Sequence, residues 1–266
     1  MEISTLKIAI IGAGNMGGAM VRGLGAGVLI ENSNIRVSDI GEQNLLALKE
    51  LMPDITISNS NTEIIEGADI IILAVKPWLV EKIADEIKRK ISYKKQLIVS
   101  VAAGVDFKVL AALFNDDATM FRVIPNTAID VLQSVSTISS YNADKEQEQL
   151  IESIFGELGK VFIVPESQLN AFMSLSSCGI AYAFRYIRAA MEGGVEMGIP
   201  AQTAKEVVVQ TLRGAIELIE SNNTHPEVEI DKVTTPGGIT IKGLNEMEAN
   251  GFTNSVIKGL KASHIK

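Results

Sequence analysis

Short apolar runs alternate with amphipathic runs over the first 164 residues of the chain. Many of these apolar runs are continuous, which is typical of parallel strands covered on both faces. The predicted strands are Leu6–Ile11, Ile35–Ser38, Ile55–Ile57, Ile70–Ala74, Leu97–Val101, Met120–Val123, Val135–Ser139 and Val161–Val164. Helical segments such as Gln43–Leu51, Leu79–Arg89 and Lys145–Leu158 lie between strands. This alternation predicts an α/β fold with a doubly wound parallel sheet.

The strand pattern ends at Pro165, and apolar residues then recur at helical spacing. They are Ile180, Ala183, Phe184, Ile187, Ala190 and Met191, followed by Val207, Val208, Leu212, Ala215 and Leu218. A last helix pair is predicted at Lys242–Ala249 and Asn254–Lys261, separated by Gly251. We therefore expect two domains, residues 1–164 and an all-helical 165–266. The helical stripes are broad for so small a unit, so we expect part of this surface to pack against another subunit.

A glycine motif joins the first predicted strand to the first helix. Gly12, Gly14 and Gly17 have the G-x-G-x-x-G spacing. In a Rossmann-type domain these glycines allow the tight turn, the approach of a pyrophosphate and close helix–strand packing. The helix that begins near Asn15 then directs its free N–H groups at the phosphates. The motif therefore predicts dinucleotide binding, and the alternative is a plain strand-to-helix turn.

Composition narrows the function further. The net charge is −8, with both signs interspersed, which argues against nucleic-acid or anionic-membrane binding. Cys178 is the only cysteine, and no apolar run reaches the length of a membrane span, so we expect a cytoplasmic protein. His225 and His264 have no ligand-like spacing, and no metal site is predicted.

Asp39 follows the second predicted strand, about 20 residues beyond the glycine motif. A carboxylate there can accept hydrogen bonds from an adenosine ribose and repels a 2′-phosphate. Neither Arg nor Lys follows until Lys49. The position favours NAD over NADP. The alternative is a turn or cap residue before the next helix.

Small or polar residues follow three successive strands, where an open α/β sheet faces its ligand. Lys76-Pro77 follows the fourth strand, Ser100–Gly104 ends the fifth and Arg122–Thr127 ends the sixth. We interpret this pattern as a nicotinamide cleft. For Lys76 alone, the alternative is a solvated loop residue.

The outstanding segment of the helical half is Asp231–Thr240, which contains Thr234-Thr235-Pro236-Gly237-Gly238. Pro-Gly-Gly ends any helix, and Thr240 can lie in the first turn of the next one. Hydroxyls and free N–H groups at such a helix start can bind a carboxylate. The alternative is an ordinary interhelical loop.

These motifs together resemble those of the pyrroline-5-carboxylate reductases, and the resemblance runs nearly end to end. The matching motifs are Gly12-Ala13-Gly14-Asn15-Met16, Ala74-Val75-Lys76-Pro77, Ser100…Ala103-Gly104, Arg122…Pro125-Asn126 and Asp231…Val233-Thr234-Thr235-Pro236-Gly237-Gly238…Thr240-Ile241…Gly243-Leu244. The last motif is highly specific to the family.

The resemblance implies reduction of the C=N bond of 1-pyrroline-5-carboxylate to L-proline with NAD(P)H, with a lean to NAD from Asp39. It implies that Thr235 and the helix start at Gly238, Ile239 and Thr240 bind the carboxylate, and that the catalytic Thr240 hydroxyl meets the ring nitrogen. It also implies a homodimer, often stacked into larger rings. The residues expected at the cofactor are Gly12, Gly14, Asn15, Met16, Asp39, Asn61, Ala74, Val75, Lys76, Pro77, Ala103 and Asn126.

The chain departs from the family pattern near the expected substrate cleft. Ser177, Cys178 and Ile180 replace glycine, serine and proline, and Ile239 replaces threonine or alanine. Two alternatives follow from these changes: a reductase of another cyclic imine, or a non-catalytic, cofactor-binding regulator. A β-hydroxyacid dehydrogenase is disfavoured because residues 174–190 contain no lysine.

Overall fold

The computed structural model describes residues 3–264, which contain one eight-stranded sheet. The strands are β1 (Ile8–Ile11), β2 (Ile35–Ser38), β3 (Thr56–Ser58), β4 (Ile70–Leu73), β5 (Leu97–Ser100), β6 (Met120–Ile124), β7 (Ser134–Tyr141) and β8 (Gly159–Ile163). The α-helices are α1 (Asn15–Ala26), α2 (Glu42–Leu51), α3 (Asn61–Ile65), α4 (Val80–Ile87), α5 (Phe107–Leu113), α6 (Lys145–Gly156), α7 (Leu169–Met173), α8 (Gly179–Glu196), α9 (Ala201–Asn222), α10 (Pro226–Val233), α11 (Ile239–Ala249) and α12 (Phe252–Ala262).

The sheet has the order β3-β2-β1-β4-β5-β6-β7-β8. The strands β2 and β3 lie on one side of β1 and the strands from β4 onward lie on the other, so the strand order reverses between β1 and β4. Every neighbouring pair is parallel except β6 and β7, so the predicted fold class is confirmed. The antiparallel pair was not foreseen. Its connection contains only the 3₁₀ helix Thr127–Val131, and a parallel return needs a longer crossover.

Two hydrophobic clusters cover the two faces of the sheet. Alternate residues of β1 point to opposite faces, so that Ile10 lies in one cluster with Phe121 and Phe155, and Ile11 lies in the other with Leu110. All four β1 residues are buried, which explains why the strand is a continuous apolar run.

The chain divides into a compact sheet unit that ends at Ser177 and a compact helical unit that begins at Cys178. The sequence placed this division between residues 164 and 165. The residues between the two positions belong with the sheet because Leu169 and Met173 pack against Ile124 in a small buried cluster. A π-helical turn at Ser174–Cys178 then leads into α8.

Within the helical unit, the described residues form helices and turns, with no strand. The loop after α10 places Gly238 at the N-cap of α11, so Thr240 is the second residue of that helix. Gly251 has a φ of +80° and separates α11 from α12. Apolar side chains remain exposed on this unit, among them Phe184 at 60% and Val207 at 55%.

Candidate functional site

The glycine motif forms the turn between β1 and α1 beside the β1–β4 reversal. Gly12 has a φ of +105°, and a Cβ there would lie 2.6 Å from the Ala74 carbonyl oxygen. Its N–H donates a 2.7 Å hydrogen bond to the Ser38 carbonyl oxygen, which ties the turn to the end of β2. A Cβ on Gly17 would collide with the Gly12 carbonyl oxygen. Only glycine fits either position.

Gly14 differs from the other two because a Cβ there would meet nothing within 4 Å. It is the N-cap of α1, and both Gly14 and Asn15 are exposed. Met16 is half-buried and packs against the core. An open, exposed helix start directly after a glycine turn fits a dinucleotide pyrophosphate, because the helix dipole and its N–H groups favour an anion there.

The carboxylate of Asp39 bridges two backbone segments. Its Oδ2 accepts a 2.6 Å hydrogen bond from the Ala13 N–H, and its Oδ1 accepts a 2.6 Å bond from the Gly41 N–H. The bond with Gly41 corresponds to the turn role that the sequence offered as the alternative to ribose binding. Each carboxylate oxygen has a second lone pair, so these bonds leave acceptor capacity for a ribose.

Asn61 lies next to the end of β2, although it begins α3. Its Oδ1 accepts a 2.7 Å hydrogen bond from the Ser38 hydroxyl, and its Nδ2 donates a 2.9 Å bond to Glu86 Oε2. The structure thus brings Asn61 to the strand end that carries Asp39. Sequence reasoning missed Glu86, because an exposed acidic residue on an amphipathic helix carries no distinguishing signal.

Five of the expected cofactor residues follow β4 and β5. Ala74, Val75, Lys76 and the half-buried Pro77 come directly after β4, and Ala103 comes after β5. Ala74 and Val75 are half-buried, whereas Lys76 is exposed and precedes the short 3₁₀ helix that Pro77 begins. Ala103, which follows β5, is exposed as well. In an open parallel sheet the carboxyl ends of neighbouring strands line one crevice.

Asn126 follows β6 and is buried. Its N–H donates a 3.2 Å bond to Ser134 Oγ, and its Oδ1 accepts a 3.0 Å bond from the Ala128 N–H. The side chain therefore caps the 3₁₀ helix that follows. Ser177 holds the same loop: its Oγ donates a 2.6 Å hydrogen bond to the Pro125 carbonyl oxygen.

Arg122, the middle residue of β6, is engaged in a structural contact. Its Nη1 lies 2.7 Å from Glu166 Oε1, and only 6% of the arginine side chain is exposed. The same carboxylate oxygen accepts a 2.7 Å bond from the Phe107 N–H. The pair joins β6, α5 and the segment after β8.

In the helical unit, the predicted carboxylate site is a tight loop at the start of α11. Gly237 has a φ of +72°, and the Gly238 N–H donates a 2.9 Å bond to the Thr235 carbonyl oxygen. Thr235, Ile239 and Thr240 are exposed, Ile239 at 87%. The loop brings two hydroxyls and a helix N-terminus together at the surface of the unit.

The other departures from the family pattern follow the sheet unit directly. Cys178 is a half-buried free cysteine, and Ile180 is half-buried in α8. Among residues 3–264, no group of three or more His, Cys, Asp or Glu side chains is placed to hold a metal ion. No helix in the same range is long and apolar enough to cross a membrane.

A doubly wound sheet with an open glycine turn at its strand-order reversal defines a dinucleotide-binding domain. Two family profiles match the chain. The profile described as "NADP oxidoreductase coenzyme F420-dependent" matches residues 7–104, and the one described as "Pyrroline-5-carboxylate reductase dimerisation" matches residues 166–266. The protein is therefore an NAD(P)-dependent oxidoreductase whose helical part is a dimerisation domain.

Curated relatives identify the family. The chain is 32% identical to "Pyrroline-5-carboxylate reductase 3" of Danio rerio, over 98% of this chain and 90% of that protein. It is 35% identical to "Pyrroline-5-carboxylate reductase 1" of Dictyostelium discoideum, over 100% of this chain but only 50% of that protein's length. The chain belongs to the pyrroline-5-carboxylate reductase family, as the motifs predicted.

A solved structure agrees with this assignment. The crystal structure of the Plasmodium falciparum pyrroline carboxylate reductase with NADP bound matches with a TM-score of 0.90 and 25% identity. The match covers 98% of this chain and 96% of that one. The two-unit architecture is thus that of the family.

Proposed function

We propose that this protein reduces the C=N bond of 1-pyrroline-5-carboxylate to form L-proline, with NAD(P)H, in proline biosynthesis. The observation that carries the proposal is the Thr235–Thr240 loop, which presents hydroxyls at the exposed start of α11. The names of the relatives support the same reaction.

The residues of the sheet unit that would hold the cofactor surround the glycine turn and the strand ends. Gly12, Gly14, Asn15 and Met16 would hold the pyrophosphate. Asp39 and Asn61 would meet the adenosine ribose, and the negative charge of Asp39 favours NADH over NADPH. The residues proposed along the rest of the cofactor are Ala74, Val75, Lys76, Pro77, Ala103 and Asn126.

The cofactor supplies the hydride for the imine carbon, so the protein has to bind, orient and protonate the substrate. The N-terminus of α11, with Thr235 and the N–H groups around Gly238 and Ile239, would bind the substrate carboxylate. That contact fixes the ring relative to the Thr240 hydroxyl. Well-oriented reactants can gain on the order of 7–11 kcal/mol, so the reaction needs no covalent catalyst.

Thr240 would act at the ring nitrogen. The hydroxyl oxygen can accept a hydrogen bond from the protonated ring nitrogen, directly or through a water, and so helps keep the nitrogen protonated. A protonated imine is the better electrophile, because positive charge on nitrogen draws electrons from the carbon. This single contact is the catalytic role that we assign to the chain.

The dimerisation profile supports a homodimer, and stacking of dimers into a larger ring is the further assembly that we propose. The apolar faces around Phe184, Ile187 and Val208 would lie in the subunit interface. We place the protein in the cytoplasm. We also propose residues 1–164 and 165–266 as the functional division, with binding of the cofactor in the first part and of the substrate in the second.

The deciding experiment is NADH or NADPH oxidation by the purified protein, with and without 1-pyrroline-5-carboxylate. Oxidation that depends on this imine, with L-proline as product, supports the proposal. Turnover of a different cyclic imine alone would indicate that Ser177, Cys178, Ile180 and Ile239 have changed the substrate. Cofactor binding without turnover of any imine would indicate a regulator.

A further inference from the structure

Three side chains from three elements form a hydrogen-bonded relay beside the end of β2. The Ser38 hydroxyl donates to Asn61 Oδ1 over 2.7 Å, and Asn61 Nδ2 donates to Glu86 Oε2 over 2.9 Å. Ser38 is buried, Asn61 is half-buried and Glu86 is exposed near the end of α4. The relay therefore runs from the core of the sheet unit to its surface.

The carboxylate of Glu86 sets the direction of every bond in this relay. An ionised carboxylate only accepts hydrogen bonds, so it requires the NH₂ end of the Asn61 amide. The amide oxygen must then face Ser38, and the Ser38 hydroxyl must donate to it. Glu86 thus accepts an Asn61 N–H directly. By fixing the amide orientation, it also directs the Ser38 hydroxyl proton toward Asn61 Oδ1.

The nearest lysine in sequence and a neighbouring amide are both engaged elsewhere. Asn59 Nδ2 donates a 2.8 Å bond to the Asp39 carbonyl oxygen at this strand end, whereas Lys49 Nζ donates a 2.6 Å bond to the Ile55 carbonyl oxygen beside the opposite end of β2. Asp39 adds a second carboxylate. The end of β2 is therefore rich in acceptors and negative charge, the opposite of what a phosphate group requires.

We propose that Glu86 is a specificity-determining residue that makes this site discriminate against a 2′-phosphate on the adenosine ribose. Its charge repels the phosphate, and its bond to Asn61 withdraws an N–H that would otherwise be available to bind it. The inference rests on the proposed function only in taking the end of β2 as the ribose site. It goes further in naming the residue that selects NADH.

Glu86→Gln tests this role, because glutamine keeps the size of the side chain, removes its charge and offers a donor as well as an acceptor. The dissociation constants of NADH and NADPH are measured on the protein alone by nicotinamide fluorescence. Removal of one exposed charge should raise the affinity for NADPH relative to NADH roughly fivefold, with little change for NADH. The ratio of kcat/KM values for the two cofactors should shift in the same direction.

Asp85→Asn is the matched control. It removes a carboxylate from the neighbouring position of α4, where Asp85 Oδ1 pairs with Lys88 Nζ at 2.6 Å, outside the relay. The NADPH-to-NADH affinity ratio should stay unchanged in this variant. An equal rise in both variants would reduce the effect to net charge and overturn the role of Glu86.

Two further outcomes separate this inference from the proposed function. If both nucleotides bind to the Glu86→Gln protein with the wild-type affinity ratio, the inference is wrong and the proposed function stands. If neither nucleotide binds to the wild-type protein, the cofactor site itself is wrong, and both proposals are overturned. Thermal melting of each variant confirms that the protein is folded during the measurement.

Discussion

The Thr235 side-chain oxygen occupies the space beside Gly238 that a side chain would need. A Cβ on residue 238 would lie 2.5 Å from Thr235 Oγ1 and 3.0 Å from the Thr235 carbonyl oxygen. That carbonyl oxygen accepts the 2.9 Å hydrogen bond from the Gly238 N–H. The missing side chain at Gly238 therefore lets the loop close tightly before α11, with one hydroxyl folded over the start of the helix.

We expect Gly238→Ala to damage substrate binding selectively. The new methyl group must displace Thr235, and overpacking of this kind costs about 1–3 kcal/mol. Taken up at the substrate site, that cost corresponds to a loss of roughly 5- to 150-fold in kcat/KM for 1-pyrroline-5-carboxylate. The dissociation constant of NADH should not change, because the glycine turn lies in the other unit. Gly156→Ala is the control, since a Cβ there meets nothing within 4 Å. Full kcat/KM in the Gly238 variant would contradict this account of the loop.

In the glycine turn, substitutions at Gly12 and Gly14 should have different effects on stability and the same effect on NADH binding. At Gly12 a Cβ would lie 2.6 Å from a carbonyl oxygen and φ is +105°, so Gly12→Ala should lower the melting temperature by roughly 3–10 °C. Gly14 has an extended backbone (φ −69°, ψ −166°) and open space, so Gly14→Ala should melt like the wild type. Both variants should weaken NADH binding at least roughly tenfold, because an added Cβ keeps a pyrophosphate away. Wild-type NADH affinity in Gly14→Ala would place the pyrophosphate elsewhere.

Thr240→Val tests the proposed contact with the ring nitrogen. Valine keeps the shape of the side chain and removes the hydroxyl, so kcat should fall by about 100-fold with a smaller change in KM. Thr234→Val is the matched control. The Thr234 hydroxyl donates to the Ile230 and Asp231 carbonyl oxygens at the end of α10, so its loss should affect stability rather than turnover. Unchanged kcat in the Thr240 variant would exclude a catalytic role for its hydroxyl at the ring nitrogen.

The hydrophobic pattern of a single segment was sufficient to predict most strands and several helices. The buried strands appear as continuous apolar runs, and the predicted Ile35–Ser38 coincides with β2. The predicted helix at Lys242 begins three residues earlier in the structure, at Ile239, because Gly238 is the N-cap. The exposed α10 was not predicted, since its short acidic sequence has little amphipathic pattern.

Contacts between distant segments carry no such local signal. The reversal of β7 depends on the length of a connection that contains a short 3₁₀ helix. Asp39 was predicted after β2, but its two bonds to the backbone depend on how two turns meet. The contact of Glu86 with Asn61 depends on how α4 packs beside α3, which the sequence of α4 alone does not indicate. Sequence thus predicted which residues would lie near the cofactor, and could not predict which side chains hold those residues in place.

The Arg122–Glu166 ion pair should contribute more to stability than the pairs on the surface. Glu166→Gln leaves the Arg122 guanidinium, on a side chain that is only 6% exposed, beside a neutral amide. We therefore expect the free energy of unfolding to fall by roughly 1–3 kcal/mol. Asp130→Asn is the control: Arg22 and Asp130 pair at 2.6 Å, but both are well exposed, and such pairs contribute about 0–1 kcal/mol. Urea denaturation compares the two variants. Equal shifts of the midpoint would show that burial of Arg122 does not matter.

The apolar faces of the helical unit lead to a prediction that joins assembly to activity. α8 and α9 expose large apolar side chains, Phe184 at 60% and Val207 at 55%, and the next residue of α9, Val208, is half-buried. If these faces form the subunit interface, Val208→Asp places an unpaired charge in it. The dissociation constant of the dimer should then rise at least roughly tenfold, and turnover should fall at the dilutions where monomers appear.

Val109→Asp is the matched control for this substitution. Val109 is 45% exposed on α5 of the sheet unit, so the same change there should leave both the sedimentation coefficient and kcat at their wild-type values. Analytical ultracentrifugation with parallel assays over a dilution series measures both quantities for each variant. A wild-type protein that sediments as a fully active monomer throughout would refute the interface. Its exposed apolar faces would then need another explanation, since a monomer rarely leaves such surfaces open to water.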